Sequence, residues 1–296
     1  MSAGPQSLGT IGFLGLGDMG APIASNYARH GLDVLAHDLR SDLEARAVGW
    51  GARWSDDAAA VVQQSDVLCI CLLDDTQLRA LVDTERLFDA MRPTATLVVH
   101  STITPSLMRE LAECGTRRGI TVVDAPVSGS HAARDEGRLT VMVAAERRHF
   151  DRLQPMWAAI SAHAYRVADT PGSAQVVKLC NNMMAETNYL VALEALRIAQ
   201  TFGVPESVFL QVVRTSSGDS WMIENWGSSE RHMLTHPHGG INSRFSILLK
   251  DLQMAVEVGQ DAGAAPLIAA VAGVAGEHVL TRRFDHITAA STERPR

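Results

Sequence analysis

Thr10-Ile11-Gly12-Phe13-Leu14-Gly15-Leu16-Gly17-Asp18-Met19-Gly20, continued by Ala21 to Arg29, decides the fold. Its first five residues are an apolar run of strand length, and from Ala21 the apolar residues recur with helical period. Strand, Gly-x-Gly-x-x-Gly, helix is the order that binds a dinucleotide. Each glycine has its own reason. Gly15 permits the tight turn, Gly17 lets the backbone approach a pyrophosphate, and Gly20 lets helix pack on strand. The pyrophosphate then meets the free N–H groups of a helix N-terminus. Gly15, Leu16, Gly17, Asp18, Met19 and Gly20 are therefore candidate cofactor residues.

The pattern repeats downstream. Asp33 to His37 reads as a second strand ending at Asp38, about 20 residues beyond the loop, where an acidic residue meets the adenosine ribose hydroxyls. A carboxylate there repels a 2′-phosphate and favours NAD over NADP. Arg40, two residues on, pulls the other way, because an arginine can accept that phosphate. Asp42 to Val48 reads as a short helix, Ala52 to Trp54 as a small strand, and Asp56 to Gln64 as a helix capped by Asp56. Asp66 to Leu73 is a near-continuous apolar run, as a buried parallel strand requires. Asp74-Asp75 ends it at the carboxyl edge of the sheet, where ligands of open α/β folds bind. Ala95 to His100 is a strand followed by Ser101-Thr102. Thr104-Pro105 opens a helix with proline in its first turn. Ile120 to Val123 is a strand leading into Asp124-Ala125-Pro126-Val127-Ser128-Gly129-Ser130, which fits either a plain turn or an anion cradle. Leu139 to Ala144 is a strand, Asp151 to Ser161 a helix interrupted near Pro155, and Ala164 to Val167 a last short strand.

Beyond Pro171 the alternation stops. From Ser173 to Thr201 there is no glycine or proline, and apolar residues recur around most of the circumference, which predicts a long helix buried on several sides. Lys178, Asn181 and Asn182 in so apolar a helix cost free energy unless they are used. Lys178 and Asn182 lie four residues apart and project from one face, which makes that face the candidate for chemistry. Further helices are expected over Pro205 to Arg214, Ser246 to Ala262 and Ala265 to His278, with Ala289 to Arg296 as a frayed tail. The expected architecture is α/β. A Rossmann-type dinucleotide-binding domain over residues 1–170 is joined by the long helix to an all-helical domain over 171–296.

Composition narrows the function. The chain has 296 residues, 46% hydrophobic and 20% charged, with a net charge of -7. That balance suits a globular protein and gives no basic footprint for a nucleic-acid partner. No apolar run approaches the ~20 residues of a membrane span, and Met1 to Gly9 lacks the pattern of a secretory signal. The four cysteines, Cys69, Cys71, Cys114 and Cys180, sit mostly in apolar runs and read as buried small hydrophobes in a reducing compartment, so a cytoplasmic location is expected. His232, His236 and His238 lie in a Gly/Pro-containing stretch without supporting carboxylates and read as a surface loop, so no metal site is expected.

These blocks together resemble the β-hydroxyacid dehydrogenases, the family of 3-hydroxyisobutyrate dehydrogenase and tartronate semialdehyde reductase. The resemblance runs from about Ile11 to Ala270 in four ordered blocks. Gly12 to Pro22 resembles the cofactor signature, Asp124 to Ser130 the substrate loop, Gly172 to Asn182 the catalytic segment, and Lys250-Asp251-Leu252 the C-terminal signature. It implies Lys178 as general acid/base with Asn182 beside the substrate, and Ser128, Gly129 and Ser130 at the substrate carboxylate. It also implies Leu72, Leu73, Thr102 and Lys250 along the cofactor. Three positions depart from the family pattern. Ser130 replaces a glycine, Val99 an aspartate and Leu73 a proline, which leaves the reaction type intact and the substrate's identity open.

The implied reaction moves hydride between a nicotinamide and a small 3-hydroxy acid. A lysine ordinarily titrates near ~10.4, so burial and a nearby positive ring would be needed to make Lys178 a base. The expected partners are a small carboxylate substrate and a second copy of the chain, as a homodimer or homotetramer. A non-catalytic dinucleotide sensor would have no reason to keep Lys178, Asn182 and Ser128 together. A 6-phosphogluconate-type enzyme would need a larger helical domain, and imine reductases on this architecture generally lack the lysine. Ser217, Trp221 and Asn225 fit either a core plug or a wall of the substrate pocket.

Overall fold

The apolar run before the glycine loop forms β1, Ile11–Leu14, with every residue buried. The protein's structure, a computed structural model, describes residues 8–84, 86–228, 240–264 and 266–292. The chain divides after Lys178 into two compact units.

The first unit is built on one sheet. β1, β2 (Val34–His37), β3 (Arg53–Trp54), β4 (Val67–Ile70), β5 (Thr96–Val99) and β6 (Thr121–Asp124) lie in the order β3-β2-β1-β4-β5-β6. All neighbours in that path are parallel. This is the doubly-wound dinucleotide-binding order. Alternate residues feed two cores, as the pleat requires. Ile11, Phe13, Val67, Cys69, Val98 and Val123 enter one. Leu14, Leu68, Ile70, Leu97 and Val99 enter the other. Burial on both faces explains why β4 and β5 read as continuous apolar runs. The sheet then changes hand. β7 (Val127–Ser128) and β6 pair antiparallel with β8 (Leu139–Ala144), and β9 (Ser161–Ala168) adds parallel to β8.

Several boundaries differ from the sequence reading. The helix Ala58–Gln64 is capped by Asp57, not Asp56: Asp57 has the extended backbone of a cap and its Oδ1 accepts the Ala59 N–H at 2.9 Å. Asp56 instead accepts the Trp54 Nε1–H at 2.7 Å. The expected helix from Asp151 is two, Arg147–Arg152 and Gln154–Ile160, with Pro155 placed in the first turn of the second. Helices Asp75–Thr84 and Leu87–Ala90 lie where the sequence reading placed nothing.

The long helix, Ser173–Thr201, begins in the first unit and continues in the second. Glu206–Val213, Trp221–Glu224, Gly240–Asp261 and Leu267–Thr292 follow. The last runs well past His278 and through Ala289, where a tail was expected, because no glycine or proline interrupts it after Gly276. Tyr189, Leu190 and Leu193 of the long helix pack with Leu248, Leu252, Ala269 and Leu280. Glu206 fastens this bundle, accepting Trp226 Nε1–H at 2.8 Å and both Arg283 Nη groups at 2.8 Å. The long helix is less enclosed than its composition predicts. Met184, Val191 and Ile198 are 64%, 56% and 63% exposed. They recur at heptad spacing, so its apolar residues form a second face outside the core of the single chain.

Candidate active site

The three loop glycines differ in what surrounds them. Gly15 has φ 91°, and a Cβ there would lie 2.5 Å from the Cys71 carbonyl oxygen. At Gly20 a Cβ would lie 2.0 Å from the Gly15 oxygen. At Gly17 a Cβ would meet nothing within 4 Å. Gly15 and Gly20 are thus dictated by packing, while Gly17 borders open space at the end of β1. The helix Gly20–Arg29 has no side-chain cap and no acidic residue in its first turn. Ala21 and Ile23 donate their N–H groups to the Gly17 and Met19 carbonyls and Pro22 has none, so what this end offers an anion is the positive pole of the helix dipole. The strand order reverses between β1 and β4, the place where doubly-wound sheets bind their ligand. These residues fit a dinucleotide pyrophosphate.

Asp38 follows β2. Its Oδ2 accepts the Leu16 N–H at 2.7 Å, and its Oδ1 accepts the Arg40 N–H at 3.0 Å and Nε–H at 3.1 Å. Arg40 Nη2 donates to the Leu16 carbonyl at 3.1 Å. Burial alone would raise the Asp38 carboxyl, but the hydrogen bonds from Arg40 and Leu16 outweigh it and hold the group below its ordinary value. Asp38 is therefore an anion at neutral pH, tied to the glycine loop.

The edges after β4 and β5 are linked. The Leu72 N–H donates to Ser101 Oγ at 2.7 Å, and Leu73, half exposed, donates its N–H to Gln77 Oε1 at 3.1 Å. Thr102 is partly buried beside them. Beneath this edge lies His100, 2% exposed, with Nδ1 2.8 Å from the Ala125 carbonyl oxygen and Nε2 3.1 Å from the Tyr27 hydroxyl. A carbonyl only accepts, so Nδ1 carries the proton and Nε2 accepts from Tyr27. Burial pushes the His100 imidazole down to about 4, and the ring stays neutral. Sequence reasoning passed over this residue.

The substrate-loop residues are held by pairing. Ser128 lies opposite Thr140 in β8, and a Cβ at Gly129 would come 2.8 Å from Leu139 Cδ2. Ser130 Oγ accepts the Ala133 N–H at 3.2 Å, capping the helix His131–Asp135. Asp124, the first residue of the Asp124 to Ser130 segment, ends β6 and has a role that the sequence does not reveal. Its Oδ2 accepts the N–H groups of Gly172, Ala174 and Gln175 at 2.9, 3.1 and 3.3 Å, and its Oδ1 accepts Gln175 Nε2–H at 2.8 Å. Burial raises the Asp124 carboxyl to about 6 against these bonds. Lys178 follows on the same helix and is 8% exposed.

In the second unit, Asn182 Nδ2 donates to Asp251 Oδ2 at 2.7 Å, and its Oδ1 accepts Asn181 Nδ2–H at 3.1 Å. Lys250 Nζ pairs with Asp251 Oδ1 at 2.9 Å. Asp251, 4% exposed, thus joins Asn182 to Lys250. Its place in the block Lys250-Asp251-Leu252 was the available signal. Trp221 is 49% exposed at the start of a short helix and is not a core plug. Asn225 Nδ2 donates to the Trp221 carbonyl at 2.9 Å, and Ser217 lies in the turn before. Cys69 is buried as expected, but Cys180 is exposed, because it falls on the outward side of the long helix. His232, His236 and His238 lie outside the described residues. Among the described residues, no group of His, Cys, Asp and Glu side chains could hold a metal ion, and no helix is long and apolar enough to cross a membrane.

The chain is similar to known proteins along most of its length. Residues 10–170 match the model for the NAD binding domain of 6-phosphogluconate dehydrogenase. Residues 172–286 match the model for the NAD-binding domain of NADP-dependent 3-hydroxyisobutyrate dehydrogenase. An L-threonate dehydrogenase from Escherichia coli O6:H1 is 31% identical over 252 residues, covering 83% of this chain and 81% of the relative. A 2-(hydroxymethyl)glutarate dehydrogenase from Eubacterium barkeri is 31% identical over 258 residues, covering 87% and 84%. The crystal structure of 3-hydroxyisobutyrate dehydrogenase from Salmonella typhimurium superposes with a TM-score of 0.78 at 29% identity, covering 89% of this chain and 91% of that one. Matched over both of its halves and about 31% identical to these dehydrogenases along more than four-fifths of its length, the chain belongs to the β-hydroxyacid dehydrogenase family, the nicotinamide-dependent oxidoreductases of small hydroxy acids.

Proposed function

We propose that this enzyme oxidises a short 3-hydroxy acid with NAD, using Lys178 as the general base and, in the reverse direction, as the general acid. The observation that carries this reading is the burial of Lys178, 8% exposed, on a helix whose first turn is tied to the carboxyl edge of the sheet. A lysine so placed costs free energy unless it is paired or used, and its register with Asn182 four residues on is what favours use. The nicotinamide, when bound, supplies the hydride acceptor. Gly15 to Gly20 would hold its pyrophosphate, and Leu72, Leu73, Thr102 and Lys250 would line it. Lys178 Nζ would accept the hydroxyl proton as hydride leaves the carbon. Asn182, four residues on, would hold the substrate hydroxyl. Ser128, Gly129 and Ser130 would clamp the carboxylate, and orientation of this kind is worth several orders of magnitude in rate. Ser130 Oγ accepts the Ala133 N–H and keeps its own O–H to donate.

The substrate class follows from what the relatives' names share. Threonate, 2-(hydroxymethyl)glutarate and 3-hydroxyisobutyrate each place a hydroxyl on the carbon β to a carboxylate. Ser130 in place of glycine narrows the carboxylate end and favours short acids. The preference for NAD rests on Asp38. Arg40 spends Nε on Asp38 and Nη2 on the Leu16 carbonyl, so accepting a 2′-phosphate requires it to leave both. The exposed face of Met184, Val191 and Ile198 supports a homodimer or homotetramer, which light scattering after gel filtration reads directly.

The test is a panel of 3-hydroxyisobutyrate, glycerate, L-threonate and 2-(hydroxymethyl)glutarate, with NAD and NADP in parallel, followed at the reduced-nicotinamide absorbance. The reading expects turnover of at least one short acid with higher kcat/KM on NAD. Cofactor binding without turnover of any acid would favour a sensor instead.

A further inference from the structure

We propose that Asp124 and Gln175 are positioning residues for Lys178, setting the reactive helix against the edges that carry cofactor and substrate. The inference rests on the reading of Lys178 as the acid/base. A helix N-terminus is ordinarily capped by its own preceding side chain. The first turn of Ser173–Thr201 is capped instead from the sheet: Asp124 of β6, 48 to 51 residues earlier in the chain, accepts the Ala174 and Gln175 N–H groups of that turn and the N–H of Gly172 just before it. A local cap only ends a helix, whereas a cap from β6 fixes the helix to the strand that leads into Ser128 and Gly129.

Gln175 closes the rest of the joint. It is fully buried, and its Nε2 donates to Asp124 Oδ1 at 2.8 Å and to the Ser101 carbonyl at 3.1 Å. Its Oε1 accepts the Ile103 N–H at 3.1 Å. Ser101 Oγ in turn accepts the Leu72 N–H. The edges after β4, β5 and β6 therefore converge on one amide, and Lys178 stands one turn further along that helix. No other arrangement of Gln175 satisfies the two acceptors and one donor at once, because its amide carbon can present oxygen to Ile103 only with nitrogen toward Ser101 and Asp124. Displacing this turn by about 1 Å would move Lys178 by a similar amount, and misplacement on that scale costs up to ~100-fold in rate.

The experiment compares wild type, Gln175→Leu, Asp124→Asn, the exchange Asp124→Asn with Gln175→Glu, and Lys178→Met. It uses the panel acid with the highest kcat/KM and its C-deuterated form. Gln175→Leu should lower kcat by about tenfold to 100-fold, with KM and the NAD Kd within about threefold, and should raise the deuterium isotope effect on kcat. In the exchange, the new amide can donate back to the new carboxylate, but the Ser101 carbonyl then faces an acceptor in place of the Gln175 Nε2–H, so kcat should stay as low as in Gln175→Leu. A lower kcat that returns to wild type when rates are expressed per NAD-binding site means only that less enzyme is folded, and overturns the proposal. So does wild-type kcat in Gln175→Leu while Lys178→Met is inactive. Activity in Lys178→Met instead overturns the acid/base reading itself. If Gln175→Leu does not fold, Gln175→Asn, which keeps the amide and shortens its reach, takes its place with the same expected outcomes.

Discussion

The Asp38 carboxylate accepts the Leu16 N–H at 2.7 Å, so the end of β2 is tied to the loop that follows β1. The charge proposed to meet the ribose is thereby tied to the glycine loop. Replacing Asp38 with Asn keeps an acceptor for Leu16 and removes the negative charge. The ratio of kcat/KM for NAD over NADP should fall by about tenfold or more, since one charge near a phosphate is worth ~1–4 kcal/mol at contact distances. An unchanged ratio would contradict the role given to Asp38.

Gly15 and Gly17 should separate folding from binding. At Gly15 a side chain needs φ 91° and meets a backbone oxygen, so Gly15→Ala should lose about 2 kcal/mol or more of stability. At Gly17 a Cβ enters open space. Gly17→Ala should leave the unfolding free energy in urea within about 1 kcal/mol of wild type and weaken NAD binding by about tenfold. Normal NAD affinity in Gly17→Ala would show that the open space is not where the cofactor lies.

Asp251 should matter through Asn182. Asp251→Asn leaves a weaker partner for Asn182 Nδ2 and none of the charge that pairs with Lys250. A fall of about tenfold in kcat/KM for the hydroxy acid is expected, equal to ~1.4 kcal/mol of transition-state stabilisation. A loss of stability with unchanged kinetics of the folded enzyme would make Asp251 purely structural.

Two buried groups act in opposite senses below neutral pH. His100 stays neutral when folded until about 4, against an ordinary value of 6.5, so stability is lost as pH falls through that window. Asp124 takes its proton at about 6 when folded, against 3.8 ordinarily, so it adds stability as pH falls from 6 toward 3.8. Each contribution amounts to about 3 kcal/mol at full extent, and the two nearly cancel. Asp124→Asn removes the second and should make urea stability fall more steeply than wild type between pH 6 and 4. His100→Asn removes the first and should make it fall less. Parallel curves for all three proteins would contradict the assignments.

The parts legible in the sequence are those whose physics is local. Strand, glycine loop and helix within Ile11 to Arg29 announce themselves because period and turn chemistry lie in one short stretch. Lys178 and Asn182 stood out because they are polar in an apolar helix. Asp124 did not, because every N–H it accepts lies at least 48 residues away. His100 reads in sequence as the end of a strand, and only the closing of Tyr27 and Ala125 around it fixes its tautomer. The choice between Asp56 and Asp57 as a cap turns on a backbone angle that two adjacent aspartates do not reveal. The second apolar face of the long helix was hidden for another reason: apolar spacing marks a face, but not whether the same chain covers it.

The proton step is read most directly in Lys178→Met, by following reduced-nicotinamide absorbance with saturating hydroxy acid while NAD binding is measured in the same preparation. The account predicts a loss of kcat of at least about 1,000-fold, on the scale of general acid–base catalysis, with the NAD Kd within about threefold of wild type. A kcat within tenfold of wild type in the folded, NAD-binding variant would contradict it.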